Sequence, residues 1–188
     1  MISFCTSYLG RHEHLVKTIP YNMDQARGFD CEFIFLDYSE YSDKWQNSKA
    51  KNKAHYKAEG DILVNVDADN YLTKEYIQAL IDYFRSDMNI IVYGEGANIG
   101  GRIAISKDNF CKLNGYDERF EDWGYEDIDF IYRAKNLGLK RIAVAGLPTI
   151  EHGDELRFKD EIQRKKNRPM MVYNRDNNVT DWRVLLKS

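Results

Sequence analysis

Asp67-Ala68-Asp69 directly follows the apolar run Ile62-Leu63-Val64-Asn65-Val66. At the end of a strand, side chains at i and i+2 point the same way. The two carboxylates can therefore hold a hard divalent cation that also takes phosphate oxygens, the usual arrangement for magnesium or manganese. Taken alone, Asp-x-Asp also fits a solvated turn; its place after a buried run, with Asn70 next, favours the site. Asp37 ends the earlier apolar run Phe33-Ile34-Phe35-Leu36. A carboxylate there can accept a hydrogen bond from a uracil imide or a ribose hydroxyl, although a plain loop aspartate is the simpler account.

Trp123-Gly124-Tyr125-Glu126-Asp127-Ile128-Asp129 sets three carboxylates close together at the start of a helix-like run. The helix dipole favours acids there, so an ordinary acidic first turn accounts for them but not for the preceding Trp-Gly. An aspartate held at such a position beside a crevice can act as a general base toward a sugar hydroxyl. The dipole should keep its pKa low, and Trp123 can stack on a pyranose ring. A single histidine, His152, follows Pro148-Thr149-Ile150. Neutral imidazole is a competent further ligand for manganese or magnesium, while a lone histidine is more often structural or exposed. Beyond it lie Arg157, Lys159, Arg164, Lys165, Lys166 and Arg168, basic residues able to close over a bound diphosphate or simply solvated. Lys51 and Asn52 are weaker candidates for nucleotide contact, since most lysines of their run read as solvated.

These residues need elements to bring them together. Strands are expected at Ile2 to Thr6, Cys31 to Leu36, Ile62 to Val66, Ile90 to Tyr93, Arg102 to Ile105 and Arg141 to Ala145. Between them, helices are expected at His12 to Arg27, with Leu15, Ile19 and Met23 on one face, and at Trp45 to Glu59. Further helices are expected at Lys74 to Arg85 after a Thr73 N-cap, Lys107 to Leu113 after a Ser106 N-cap, and Glu126 to Leu137 stopped by Gly138. Strand–helix alternation predicts a mixed, mostly parallel sheet flanked by helices in a single α/β domain. On such sheets ligands bind beyond the carboxyl ends of strands, where Thr6, Asp37, Asp67 and Asp69 should converge. The expected organisation is a catalytic unit over residues 1–152, with a nucleotide half at 1–93 and an acceptor half at 94–152. Residues 153–188 read as a basic C-terminal tail without a core of its own.

The chain has 188 residues, 43% hydrophobic and 30% charged, with a net charge of -3. That describes an ordinary globular protein with no general attraction to nucleic acid or anionic lipid. The cysteines, Cys5, Cys31 and Cys111, are odd in number and far apart, which suits free thiols in a reducing compartment. No basic-then-apolar leader and no membrane span is legible, so a cytoplasmic location is expected.

The stretch Gly100-Gly101-Arg102-Ile103-Ala104-Ile105-Ser106-Lys107, then Asn114-Gly115-Tyr116-Asp117-Glu118-Arg119-Phe120 and Trp123-Gly124-Tyr125-Glu126-Asp127, resembles the carboxyl-terminal half of beta-1,4-galactosyltransferases. It also resembles the catalytic domains of chondroitin-type polymerases and polypeptide N-acetylgalactosaminyltransferases. Residues 3–11, Phe35-Leu36-Asp37 and the segment from Gly60 to Asp69 resemble the family-2 glycosyltransferases. The resemblance implies a GT-A (Rossmann-like) fold and inverting, metal-dependent transfer from a UDP-sugar to a hydroxyl of a glycan or glycoconjugate, with Mn2+ or Mg2+ bound. It implies Asp69 and His152 as metal ligands, and Thr6, Arg11, Asp37, Asn52, Asp67 and Ala68 on the nucleotide-sugar side. Asp127 is the implied catalytic base, with Trp123 and Glu126 as acceptor contacts. Tyr125 departs from the Trp-Gly-Gly that the family often carries. Two other readings are a sugar nucleotidyltransferase, for which Ser7-Tyr8-Leu9-Gly10-Arg11 is poor in glycine, and a non-catalytic carbohydrate-binding module.

Overall fold

The computed structural model describes residues 1–96, 101–150 and 155–186, without the side chains of 155–161 and 163. The elements run β1 (Ile2–Tyr8), α1 (His12–Gln25), β2 (Cys31–Asp37), α2 (Asn47–Lys57), β3 (Ile62–Asn65), α3 (Lys74–Ser86) and β4 (Ile90–Gly94). They continue β5 (Ile103–Ser106), α4 (Lys107–Lys112), α5 (Glu126–Asn136), β6 (Lys140–Val144) and α6 (Glu155–Asp176). The strands form one sheet in the order β2-β1-β3-β5-β4-β6. β1 runs parallel to β2 and β3, and β4 parallel to β6, while β5 is antiparallel to both of its neighbours. The expected mixed, mostly parallel sheet is present.

Each sheet face carries a core because alternate strand residues point to opposite sides. One core joins Cys5, Leu36, Leu63, Ile91, Ile103 and Ile105 to Ala50 and Ala54 of α2, Phe110 of α4, and Phe130 and Ala134 of α5. The other joins Phe4, Val64, Ile90, Val92 and Ala104 to Tyr76, Ile77, Leu80 and Phe84 of α3. The expected caps are there: the Thr73 hydroxyl accepts from the Tyr76 N–H, and Ser106 from that of Asn109.

Three expectations need correction. The inward face of α1 is Leu15, Thr18 and Asn22, while Met23 is 53% exposed. Thr18 and Asn22 turn inward because they hydrogen-bond the loop after β3, which an apolar face would leave unsatisfied. Next, the segment read as a solvated tail contains α6, whose buried Asn167, Met171 and Asn174 pack it against the α5 side of the molecule. Asn174 donates to both Asp117 and Asp129, and the Trp182 indole N–H donates to the Asn114 carbonyl. Finally, Lys51, a weak candidate for nucleotide contact in a run of lysines that reads as mostly solvated, is fully buried. The three cysteines are free thiols, as expected. Among the described residues, no helix is long and apolar enough to cross a membrane.

Candidate functional site at the ends of the central strands

The Asp67–Asp69 loop is built by hydrogen bonds from three directions. Val66 extends the β1–β3 ladder by donating to the Cys5 carbonyl, and Asn70 N–H closes a turn on the Asp67 carbonyl. From α1, the Thr18 hydroxyl donates to the Ala68 carbonyl and Asn22 brackets the loop at Asn70 and Leu72. From beyond β6, Ile150 N–H and the Thr149 hydroxyl donate to the Asp69 carbonyl, while Tyr71 N–H donates to that of Pro148. Buried Arg102 ties these pieces together, donating to Asn70 Oδ1 and the Pro148 carbonyl. Ala68 thus contributes backbone, with its side chain buried.

Asp69 is largely buried and accepts from its neighbour Asn70, with the Arg11 guanidinium 3.8 Å away. Hard carboxylate oxygens at the mouth of a sheet crevice suit Mn2+ or Mg2+, which complete their shells with water and phosphate oxygens. The chain carrying His152 leaves Ile150 while bonded to the Asp69 carbonyl at 2.8 Å. His152 itself, like Gly100, lies outside the described residues. Among the described residues, no cluster of three or more His, Cys, Asp or Glu side chains forms a self-sufficient metal cage.

The acids at the start of α5 separate into three jobs. Glu126 is 2% exposed; one oxygen accepts from Asn47 and Lys51, and the other from the Gly124 N–H. It pins α2 to the Trp123–Tyr125 loop, which leaves it no surface for an acceptor and corrects the expected contact. Asp129 is fully buried, paired with Arg133 at 2.7 Å and bonded to Asn174, a structural knot. Asp127 has Oδ1 on Lys51 Nζ at 2.6 Å, and among the described residues its other oxygen accepts no hydrogen bond from a side chain.

That second oxygen faces the Asp-x-Asp loop across Gly101. A Cβ built on Gly101 would lie 2.6 Å from Asp67 Oδ2 and 3.1 Å from Asp127 Oδ2. The missing side chain is therefore what lets the Asp67 and Asp127 carboxylates approach here. Asn65 fixes this junction by donating to both Asp67 Oδ1 and the Gly101 carbonyl. The pKa of Asp127 is raised well above the usual carboxylate range, chiefly by burial and then by the charge of Glu126, against the lowering pull of Lys51. The expectation that the helix dipole keeps it low is overturned, because one ammonium serves several carboxylates in a desolvated place.

Helix α5 starts without a side-chain cap, at Tyr125 with φ 71°. A glycine adopts this left-handed conformation freely, whereas tyrosine adopts it at a cost of about 1 kcal/mol. Asn167 of α6 holds the loop by donating to the carbonyls of Glu121, Trp123 and Gly124. Trp123 remains 39% exposed.

The other predicted residues divide. Asp37 ends β2, paired in register with Tyr8 of β1, and its carboxylate accepts from Ser39 N–H at the surface. Hydrogen bonding from Ser39, its side chain first and then its N–H, holds the Asp37 pKa below the ordinary value. Thr6 is buried on β1, two residues short of Tyr8. Arg11 precedes α1 with φ 57° and reaches toward Asp69. Asn52 does not reach the crevice: its amide donates to the Tyr116 carbonyl and Glu118 and accepts from Tyr116 N–H, so it is consumed in holding that turn. Sequence reasoning missed Gly101 and held Lys51 only as a weak nucleotide contact, not as the partner of Glu126 and Asp127. The close Gly100-Gly101 pair was the one available signal for Gly101, whereas Lys51 sits among look-alikes.

The fold agrees with solved structures. The chain superposes with a TM-score of 0.65 on a mutant of Drosophila beta-1,4-galactosyltransferase 7 in complex with manganese, UDP-Gal and xylobiose, at 16% identity, over 87% of this chain and 79% of that one. With glucosyl-3-phosphoglycerate synthase from Mycobacterium tuberculosis, in complex with Mn2+, UDP and phosphoglyceric acid, the TM-score is 0.67 at 12% identity, over 93% and 78% of the two chains. The fold is GT-A. Within it, residues 89–161 match the family model described as the N-terminal domain of galactosyltransferase. The human and mouse beta-1,4-galactosyltransferase 7 sequences are each 37% identical to this chain over 51 residues, 27% of this chain and 16% of theirs. The sequence similarity thus spans a small part of those relatives, while the GT-A likeness extends over most of this chain.

Proposed function

We propose that the protein is an inverting, metal-dependent glycosyltransferase that moves a sugar from a UDP-sugar to a hydroxyl of a glycan or glycoconjugate. The observation that carries this reading is the opposition of Asp127 and Asp67 across Gly101, with Lys51 holding the far oxygen of Asp127. It leaves one carboxylate oxygen beside the Asp-x-Asp loop, where a donor's anomeric carbon and an acceptor hydroxyl would meet.

In this reading Asp69 and His152 hold Mn2+ or Mg2+, with Asp67 toward the ribose or the sugar. When bound, the ion neutralises the diphosphate and makes UDP a better leaving group. Asp37 and Thr6 line the nucleotide end, and Arg11 lies between it and Asp69. Asp127 accepts the proton of the acceptor hydroxyl as that oxygen bonds to the anomeric carbon from the face opposite the departing UDP. The C–O bond to UDP breaks, the proton stays on Asp127, and the configuration inverts through an oxocarbenium-like transition state. Trp123 offers a ring to the acceptor sugar.

The test is UDP release from a panel of UDP-sugars, with Mn2+ and again with the metal chelated. Turnover, if only slow hydrolysis, should need the metal. Asp69→Ala should weaken UDP binding in Mn2+ by about tenfold or more. Sugar-nucleotide binding without any turnover would instead favour a carbohydrate-binding module, and unchanged UDP affinity in Asp69→Ala would remove the metal assignment.

A further inference from the structure

We propose that Arg164 forms an anion subsite beside the base, and that the acceptor carries a carboxylate or phosphate group. This rests on the glycosyltransferase reading and adds the acceptor's chemical class to it. Arg164 lies on α6, and its guanidinium carbon stands 5.6 Å from the Trp123 ring centre and 5.2 Å from that of Tyr125. Its stem presses on the loop between those rings: a Cβ on Gly124, which has φ +104°, would lie 2.5 Å from Arg164 Cγ. Three residues along the helix, Asn167 fastens the same loop through three carbonyls. The cation is thus held in place by packing, although it is exposed.

What it lacks is a counter-charge. Glu121, Asp122, Glu126 and Asp127 all lie within five residues of the two rings, yet among the described residues no carboxylate pairs with Arg164. Glu126 and Asp127 are turned inward to Lys51 instead. A guanidinium pre-set on aromatic faces retains its planar fork of donors for a carboxylate or phosphate. Trp123 stays partly exposed, so a sugar resting on the part of the ring that Arg164 leaves open would present a ring substituent to the guanidinium while a hydroxyl faces Asp127. Arg168, one helical turn on, is exposed as well and adds positive potential on the same side of α6.

The experiment uses the full chain saturated with Mn2+ and UDP. Binding is compared for methyl β-glucoside, methyl β-glucuronide and methyl β-glucoside 6-phosphate, with the wild type, Arg164→Gln and Arg164→Lys. At least one anionic probe should bind the wild type about tenfold more tightly than the neutral glycoside, since a charge-assisted hydrogen bond is worth that much. The two anionic arms separate a uronate-type from a phosphate-type acceptor. Arg164→Gln should erase the preference and Arg164→Lys should keep part of it. Equal or absent binding of the anionic probes to wild type overturns the proposal, as does a preference that survives Arg164→Gln. A tenfold loss of UDP affinity in Arg164→Gln also overturns it, by making the residue a donor clamp. Failure of the wild type to bind UDP in Mn2+ would instead count against the transferase reading itself.

Discussion

At the residue scale, the site works by giving similar side chains different surroundings. Glu126, Asp127 and Asp129 are near neighbours, but only Asp127 keeps an oxygen directed at the crevice; the others hold α2 and α6 in place. Gly101 sets the distance between Asp127 and Asp67, so Gly101→Ala should act on chemistry more than on stability. The added methyl meets the ends of two side chains, which can swing away at little cost. Displacement of a reacting group by about 1 Å can cost on the order of a hundredfold in rate. We expect turnover to fall at least tenfold with the melting temperature nearly unchanged, as checked by UDP release and thermal denaturation; wild-type turnover in this variant would contradict the geometry. His55 gives a pH signature. Buried, with Nδ1–H donating to the Lys51 carbonyl, it has its pKa lowered by burial from 6.5 to about 4. Below pH 6.5 the unfolded chain takes up a proton that the folded chain refuses, so stability is lost as pH falls from 6.5 toward 4, by about 3 kcal/mol at most. His55→Gln should flatten the dependence of melting temperature on pH in that window, and parallel curves would contradict the assignment.

At the element scale, the strands were legible from their short apolar runs, α3 from its apolar stripe and Thr73 cap, and α4 from its Ser106 cap. Ile77, Leu80 and Phe84 form such a stripe on α3. Helix α6 was not legible, for a physical reason. Its buried face is Asn167, Met171 and Asn174, spaced for a helix but mostly polar, and Pro169 interrupts the run. Lys51 was hidden in the same way, on a helix whose buried positions include Asn47, Ser48, Asn52 and His55. Such faces bind by satisfying polar groups rather than by burying oil, and periodicity of hydrophobicity cannot register them. The consequence is measurable. Asn174→Ala removes the donor shared by Asp117 and Asp129 and leaves two buried carboxylates short of a partner. A loss of about 1–3 kcal/mol is expected, seen as a lower denaturant midpoint and faster amide exchange in both α5 and α6. Exchange that rises in α6 alone would mean that the helices are not coupled through this residue.

At the scale of the whole molecule, the sequence order of the parts differs from their spatial order, and this is where reading along the chain was weakest. Alternation of strands and helices announced a mostly parallel sheet, but not that β5 inserts antiparallel between β3 and β4. That insertion brings Gly101 and Arg102 beside the Asp67–Asp69 loop, and so joins the two halves of the chain into one crevice. The acidic residues were legible as candidates through their spacing; which of them face the crevice was set by three-dimensional partners such as Lys51, Asn174 and Arg133. The central claim is that Asp127 removes the acceptor's proton at a site whose metal and nucleotide are held by other residues. Its most direct test is the rate of UDP release from a turned-over UDP-sugar in Mn2+ by Asp127→Asn, with UDP affinity measured on the same sample. A fall of about a hundredfold or more in rate with unchanged affinity is expected; turnover at close to the wild-type rate would contradict the role of Asp127 as base.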